Sequence, residues 1–509
     1  MNLALLASFS IFYFALTVAV AQRKPLWFDE ILTYHLAKLP SISTIWTALG
    51  DGPDNSPPLN LLAVHAVYQL AGEGPVATRL PSILGVWVMS LCLYVFVARR
   101  CAPAYAWVAL LFPLTTTALT YAYEGRPYGL WMGFCGLALV CWQAAAAERR
   151  RPLALAGLTL SLAATVFTHF YAPVGFIPIG LAELTRTWRR RHVDVLMWVA
   201  IVAGLVPLAF LGPMIRNAKS YADVFFSRPG LTACIYVYAW LVASALPGLV
   251  GALVGLMIDA EFFSSRNGAS RQGVHSLAPM EEVVAAIGFA GFPAFTMILS
   301  RLAAGGAFVE RYSLPSVIGL GVLVAFLASH LHRRMSMGYI LAIAFFIGAC
   351  LVGYNDRNLA RFANAALSKR FEKLEALKGL PLATDDPWQY ILLNYYCSPD
   401  LNRRLIYLGG TSEAHVDRCL QKLSPWVGPV KPLQIEEYDD FVAAHSQFFL
   451  FFGDSGGGLR RLMGPDRLRF ELVEVADRTY IYQVSDAAAS TPAPPGDAAE
   501  RGRRPSGSR

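Results

Sequence analysis

Two adjacent carboxylates, Asp29 and Glu30, follow the first apolar stretch and are the first groups that could do acid–base chemistry. Trp27 and Phe28 precede them, and aromatic residues such as Trp favour the level of the lipid headgroups. A carboxylate can take the proton of an attacking hydroxyl. Residues 25–34 (PLWFDEILTY) therefore either present acids to a substrate at the bilayer edge or form a polar loop with two solvated acids.

A second candidate segment, YAYEGRPYGL at 121–130, places Glu124 and Arg126 between two apolar stretches. The planar guanidinium of Arg suits phosphate oxygens. Pro127 favours a helix start, and the positive end of a helix also attracts anions. The alternative is a local Glu–Arg pair that caps two helices.

Two more polar positions border apolar stretches. Arg311 and Tyr312 lie in VERYSLPS at 309–316, and His169 lies in THFYAP. Arg311 and Tyr312 could bind substrate or anchor a helix at the membrane interface. His169 could be a metal ligand or a packing group at a helix end.

The composition indicates a protein that crosses the membrane many times. Hydrophobic residues make up 55% of the 509 residues and charged residues only 15%. Apolar blocks of about 20 residues match the thickness of the hydrocarbon core, and we count about 11 of them. They fall near 3–21, 78–98, 103–122, 128–146, 153–170, 172–187, 194–213, 232–258, 283–304, 313–331 and 337–353.

The net charge of +8 comes largely from Arg clusters in short loops, such as Arg149-Arg150-Arg151 and Arg189-Arg190-Arg191. Such clusters are typical of cytoplasmic loops, so they indicate orientation and predict no nucleic-acid partner. This orientation puts the N-terminus inside the cell. It puts the 22–76 loop, the candidate segments and the C-terminal region outside.

The composition changes after residue 353, which predicts a transmembrane domain at 1–353 and a small extracytoplasmic α/β domain at 354–484. In the second domain, 388–396 favours a helix, 405–408 and 448–452 favour buried strands, and 471–475 with 479–484 favour a hairpin. Residues 485–509 are typical of a disordered tail. Cys397 and Cys419 could form a disulfide if this region is extracytoplasmic.

The sequence lacks the motifs that hold nucleotides. It has no GxGxxG after a strand, no P-loop and no DxD acid pair of the kind that binds the metal of sugar nucleotides. A nucleotide-linked donor therefore has no support in the sequence.

Six segments occur in an order that resembles the polytopic GT-C glycosyltransferases, over roughly residues 1–330. This class includes the protein O-mannosyltransferases and the aminoarabinose transferase, and bacterial family-39-like members that decorate lipopolysaccharide core are the most similar. The segments are WFDE (27–30), PPLNLLAVHA (57–66), GEGPVATRLPS (72–82), YEGRPYGL (123–130), THFYA (168–172) and ERYSLP (310–315).

The resemblance implies a glycosyltransferase of the bacterial inner membrane with a polyprenyl-phosphate-linked sugar as donor. An extracytoplasmic hydroxyl of a glycan, lipid or protein would attack with inversion. Asp29 would be the general base, with Glu30 in support. The other implied site residues are Arg126, Arg311 and, in reserve, Lys24 for the donor phosphate, and Glu124, Tyr128 and Tyr312 for substrate binding.

The resemblance also implies a divalent metal in some members, for which Asp54 and His169 are the nearest matches. Two other functions stay open on the sequence alone. A transporter or flippase for lipid-linked glycans would also need cations for a lipid phosphate, but it would not need the Asp29–Glu30 pair. A polysaccharide polymerase would use a growing glycan as its donor.

Overall fold

The computed structural model is mostly helical, with one sheet near the C-terminus. It describes residues 3–221, 225, 227–230, 232–251, 253–254, 278–331, 335–410, 414–427, 432–452, 468–476 and 479–486. The described chain forms two compact units. The first contains Met1–Lys369 and Glu413–Pro432, and the second contains Arg370–Ser412 and Leu433–Arg509.

The first unit is built from helices, most of which follow the predicted apolar blocks. They are α1 (Leu3–Ala21), α2 (Phe28–Ala37), α3 (Ile42–Asp51), α4 (Leu59–Ala71), α5 (Pro75–Ala98), α6 (Pro103–Leu111), α7 (Tyr128–Ala146), α8 (Arg151–Thr168), α9 (Phe176–Arg190), α10 (Val195–Ala203), α11 (Gly212–Ser220), α12 (Ala233–Val242), α13 (Met280–Ala290), α14 (Phe292–Ala303), α15 (Ser316–Leu331) and α16 (Met335–Ala376).

Six helices of the described chain are long and apolar enough to cross a membrane, and two bent pairs would raise this number to eight. The predicted count of about 11 is therefore not confirmed. The physical reason is that several apolar blocks are not single straight helices. The block at 103–122 continues from α6 into 3-10 turns, and α13 meets α14 at a bend of 56°.

The predicted 22–76 loop contains three short helices, α2, α3 and α4. Helix α3 begins after Ser41, whose side chain accepts a hydrogen bond from the backbone N–H of Thr44. It ends at Gly52, whose φ of 80° suits a residue without a Cβ. The acids Asp29 and Glu30 lie in the first turn of α2, where the positive end of the helix favours negative charge.

Helices α5 and α7 pack unusually closely, which brings their ends together at the site. A Cβ on Gly85 of α5 would lie 2.2 Å from the Gly129 carbonyl oxygen of α7, so neither position tolerates a larger residue without a shift. Close contact through small residues is a common way for helices to pack in membranes. It holds Arg79 of α5 near the segment that precedes α7.

The second unit contains a six-stranded sheet with the order β3-β2-β1-β4-β6-β5. The strands are β1 (Leu382–Thr384), β2 (Leu405–Gly409), β3 (Ile435–Glu437), β4 (Gln447–Phe452), β5 (Leu468–Ala476) and β6 (Thr479–Asp486). The first four run parallel, and β6 pairs antiparallel with both β4 and β5. The predicted strands and hairpin are confirmed, and the predicted helix at 388–396 is α17 (Pro387–Tyr396).

Two helices of the C-terminal region follow, α18 (Pro399–Asn402) and α19 (Ala414–Leu423), and a further one is α20 (Tyr438–Ala444). Helix α19 lies between β2 and β3 in the sequence but belongs to the first unit. The predicted domain boundary at 353/354 falls inside α16, which continues to Ala376. The predicted tail lies outside the described residues from 487 onward.

The suggested Cys397–Cys419 disulfide is wrong for this structure, since both residues are free thiols. The physical reason is that each is buried among other partners. Cys397 lies within 3.8 Å of the Asn394 carbonyl oxygen in the second unit. Cys419 belongs to α19 in the first unit and is 5% exposed.

Candidate active site

The carboxylate of Asp29 lies between two guanidinium groups, and it has no hydrogen bond to either of them. Its Oδ2 atom is 3.8 Å from Nε of Arg126 and 3.8 Å from Nη2 of Arg311. The side chain is 16% exposed, so it is the open acid of the first turn of α2. A carboxylate in this position can be reached by a ligand and is not bound to a single partner.

Arg126 is held mainly by Asp54. Its Nη1 and Nη2 atoms donate to the two carboxylate oxygens of Asp54 at 2.9 and 3.1 Å, the two-point contact that suits a guanidinium. Nη1 also donates to the Asp29 carbonyl and to the Thr33 hydroxyl, both at 3.2 Å. The buried Nε atom has no hydrogen-bond partner among the described residues and points toward Asp29. It is an available donor for an anion.

Arg311 approaches the same acid from the other side. Its Nε atom donates to the Tyr128 hydroxyl at 2.8 Å, which fixes the guanidinium while leaving Nη2 near Asp29. The guanidinium also lies 5.9 Å from the ring centroids of Trp27 and Tyr128, within the range of a cation–π contact. Arg311 is 23% exposed in its side chain, so a ligand can reach it.

Lys24 and Glu124 form a third ion pair next to these residues. The Lys24 ammonium lies 3.1 Å from Oε1 of Glu124 and above the ring of Tyr123. Burial raises the pKa of Glu124, and the charge of Lys24 only partly opposes this rise. The charged form of Glu124 is thus less favoured than that of a glutamate in water.

Glu30 has a different environment from Asp29, although the two are adjacent. Arg79 donates to both of its oxygens, at 2.7 and 2.6 Å, and the Gly125 backbone N–H donates at 2.6 Å. Arg79 also donates to the carbonyl oxygens of Ala21, Lys24 and Pro25. Glu30 and Arg79 are both 0% exposed. Glu30 therefore has no surface open to a substrate, and its contacts are those of a group that holds the backbone in place.

Burial acts to raise the pKa of Glu30, but the charge and hydrogen bonds of Arg79 outweigh it, so the net pKa is lowered. Glu30 is therefore a charged partner at neutral pH. Together with Arg79 it ties the start of α2 to α5 and to the Gly125 backbone. The pair thus fixes the backbone that carries Asp29.

His169 belongs to an aromatic cluster rather than to a group of acids. Its ring stacks on Trp131 at 4.3 Å between centroids, and Tyr128 and Tyr312 lie at 5.4 and 5.3 Å. Its Nδ1 atom accepts the backbone N–H of Tyr171 at 3.1 Å. Tyr312 in turn stacks on Tyr171.

The predicted metal ligands Asp54 and His169 do not fit a metal site in this arrangement. Both oxygens of Asp54 accept hydrogen bonds from Arg126, and one nitrogen of His169 already has a partner. Within the described residues, no group of three or more His, Cys, Asp or Glu side chains could hold a metal ion.

An apolar cavity of about 220 Å³ adjoins this cluster. Tyr312 and His169 line it on the side of the cluster, and Asn55 follows Asp54 directly. Its other walls are mostly apolar and include Val166, Leu208, Leu211, Ile215 and Leu299. Such a cavity beside cationic groups suits an amphiphile with an anionic head.

The structure brings all the sequence-predicted site residues into one continuous cluster. Sequence reasoning missed Arg79 and Thr33, which hold Glu30 and Arg126 in place. Arg79 carried a signal, because an Arg within the apolar stretch that became α5 needs a partner in the protein. Thr33 carried none.

Two solved structures of ArnT have a similar fold. ArnT from Cupriavidus metallidurans bound to undecaprenyl phosphate matches with a TM-score of 0.56 at 13% identity, covering 97% of this chain and 100% of that chain. Its apo state matches with a TM-score of 0.57 at 13% identity, covering 94% and 97%. The apo oligosaccharyltransferase of Archaeoglobus fulgidus matches at 11% identity over 87% and 70%, with a TM-score of 0.33 that supports no conclusion.

No protein-family model matches the chain, and no curated protein matches its sequence. The likeness to ArnT over nearly the whole length of both chains therefore concerns the fold. It confirms the predicted fold class, a helical membrane protein with a small C-terminal domain that contains a sheet. The chain has the GT-C fold.

Proposed function

We propose that the protein is a membrane glycosyltransferase that moves a sugar from a polyprenyl-phosphate donor to an extracytoplasmic hydroxyl, with inversion. The observation that carries this proposal is the position of Asp29 between the guanidinium groups of Arg126 and Arg311, beside an apolar cavity. A proton acceptor, two cations and a space for a lipid are the parts that this reaction needs. The lipid named for the ArnT structure, undecaprenyl phosphate, belongs to the same chemical class.

In this mechanism the acceptor oxygen attacks the anomeric carbon of the donor sugar from the face opposite the phosphate. The new carbon–oxygen bond forms as the bond to the phosphate oxygen breaks. Asp29 takes the hydroxyl proton, because it is the open carboxylate of the cluster. The products are the glycosylated acceptor with inverted configuration and the polyprenyl phosphate.

The leaving phosphate gains negative charge as the bond breaks, and fixed cations stabilise that charge. The Nε atom of Arg126, which has no hydrogen-bond partner among the described residues, and the Nη2 atom of Arg311 each lie 3.8 Å from Oδ2 of Asp29. Asp54 and Tyr128 hold these two guanidinium groups in place before the donor arrives. The preorganised cations therefore require little rearrangement during the reaction.

The experiment compares cell-envelope glycolipids and glycoproteins by mass analysis in cells with the chain, without it, and with R126A. The proposal expects one glycosylated product that disappears without the chain and in cells with R126A. Identical profiles in all three would overturn it. A chain that binds undecaprenyl phosphate stoichiometrically but releases no sugar would instead be a lipid-linked-glycan transporter.

A further inference from the structure

A second group of cations surrounds Tyr221, a residue that lines the same cavity, and it lies outside the cluster around Asp29. Lys219 of α11 lines the cavity, and so does Tyr221 directly after that helix. Helix α19 adds two cations to this place, since Arg418 lies 5.4 Å and Lys422 5.0 Å from the ring centroid of Tyr221. We call Lys219, Arg418 and Lys422 the rim cations.

The rim cations differ from Arg126 and Lys24 in their partners. Arg126 and Lys24 each have a carboxylate within hydrogen-bond distance. Arg418 donates to the Ser220 carbonyl at 2.8 Å, and Lys422 donates to the Asn217 side-chain oxygen at 3.4 Å. None of the three rim cations has a described carboxylate within 4.0 Å. Like charges collected without acids attract an anion.

The segment that carries Lys219 is also hydrogen-bonded to the segment that precedes Asp54. The Tyr221 hydroxyl donates to the Gly52 carbonyl at 2.9 Å, and the Asn217 amide donates to the Gly50 carbonyl. Burial raises the pKa of the Cys419 thiol to about 12, and the charges of Asp54 and Asp29 add to this rise. Helix α19 therefore lies within electrostatic reach of the acids of the active site.

We propose that Lys219, Arg418 and Lys422 bind an anionic group of the acceptor substrate, a phosphate or a carboxylate, beside the cavity. This inference rests on the proposed function. A single inverting displacement requires donor and acceptor to be bound together, so two anionic substrates need two separate groups of cations. Arg126 and Arg311 serve the donor phosphate, and the rim cations serve the acceptor.

The test uses the full chain in phosphatidylcholine nanodiscs and two probes with the same acyl chains, dihexanoyl phosphatidic acid and neutral dihexanoylglycerol. The wild-type chain should bind the phosphate probe at least ~10-fold more tightly than the neutral probe. The variant K219Q/R418Q/K422Q should lose this preference. Lys219 is exposed, so K219Q alone should weaken the preference without a change in melting temperature, which guards against a folding defect in the triple variant.

Two controls separate this site from the donor site and from general charge. R361Q removes an exposed cation of α16 elsewhere in the first unit and should leave the preference unchanged. R126A should weaken undecaprenyl phosphate binding but keep the preference for the phosphate probe. Because the two lipids are measured separately, failure of the rim site and failure of the proposed donor site give different results.

Three results would overturn the proposal. The preference could survive in K219Q/R418Q/K422Q, or it could vanish in R126A, which would place the probe on the donor cations. It could also vanish when phosphatidylglycerol is added to the nanodiscs, which would make the rim a contact for bilayer headgroups. Retention of the preference with phosphatidylglycerol present supports an acceptor site.

Discussion

The first turn of α2 carries two neighbouring carboxylates that the fold places in opposite environments. Glu30 is fully buried and bonded to Arg79 through both oxygens at 2.6 and 2.7 Å. Asp29 is partly open and lies 3.8 Å from two different arginines. The Glu30–Arg79 pair therefore stabilises the fold. The group around Asp29 leaves an acid and two cations available to a ligand. Proximity of an acid to an arginine does not by itself identify a functional group.

The largest expected effect concerns the buried pair. R79M leaves Glu30 charged and buried without its partner, which costs about 3–5 kcal/mol in unfolding free energy. Thermal unfolding of the detergent-purified protein measures this loss. The control is R311M, which removes an arginine from the open acid and should change stability far less. Equal losses in the two variants would contradict the distinction between the two pairs.

A smaller loss is expected from R126A, and it concerns activity. Removal of a preorganised donor to developing charge lowers turnover by about 10²–10³-fold. Sugar transfer from the native lipid-linked donor, measured together with undecaprenyl phosphate binding, checks this expectation. Unchanged donor affinity and rate would reject Arg126 as a phosphate ligand.

The pH dependence of stability provides a sharper test of Glu30. Arg79 lowers its pKa below the ordinary value of 4.5, so Glu30 stabilises the folded protein above that value. This stabilisation is lost as the pH falls through the lowered pKa of the folded state. The wild type should therefore melt at a higher temperature than E30Q at pH 7. This difference in melting temperature should become smaller below pH 4.5. A difference in melting temperature that does not depend on pH would contradict a charged Glu30 in the folded protein.

The smallest expected effect is that of Y128F. It removes the hydroxyl that accepts from Arg311 Nε, a contact worth about 0.5–1.5 kcal/mol. The transfer rate should fall by roughly 2–10-fold, because Arg311 becomes less well fixed. Y13F is a matched control, since the Tyr13 hydroxyl also bonds a buried oxygen, the Ile83 carbonyl. A larger effect of Y13F on the rate would contradict this role.

Sequence reasoning found the cluster because chemical type and predicted orientation both point to it. Asp29, Arg126 and Arg311 border apolar stretches at the same predicted membrane side, and the structure brings them together. The two environments of Asp29 and Glu30 could not be predicted, because they depend on Arg79 and on the close contact at Gly85. The residues next to Asp29 and Glu30 in the sequence do not show which distant residues will contact each of them.

The architecture was predictable in kind but not in detail. The strands and the hairpin of the second unit follow from apolar patterns. The predicted number of membrane-spanning helices is not confirmed, because some apolar blocks contain bends or 3-10 turns. Hydropathy shows how long an apolar block is but not whether it forms one straight helix. The placement of α19 in the first unit had no signal in the sequence, because its contacts depend on Tyr221 and Asn217 far away in the chain.

The most direct measurement of the central claim is the transfer rate of D29N together with its affinity for undecaprenyl phosphate. The substitution removes the proton acceptor, so transfer should fall by about 10²–10⁴-fold. It also removes a negative charge beside Arg126 and Arg311, so the lipid phosphate should bind at least as tightly as in the wild type. A folded D29N protein that transfers sugar at nearly the wild-type rate would contradict the account.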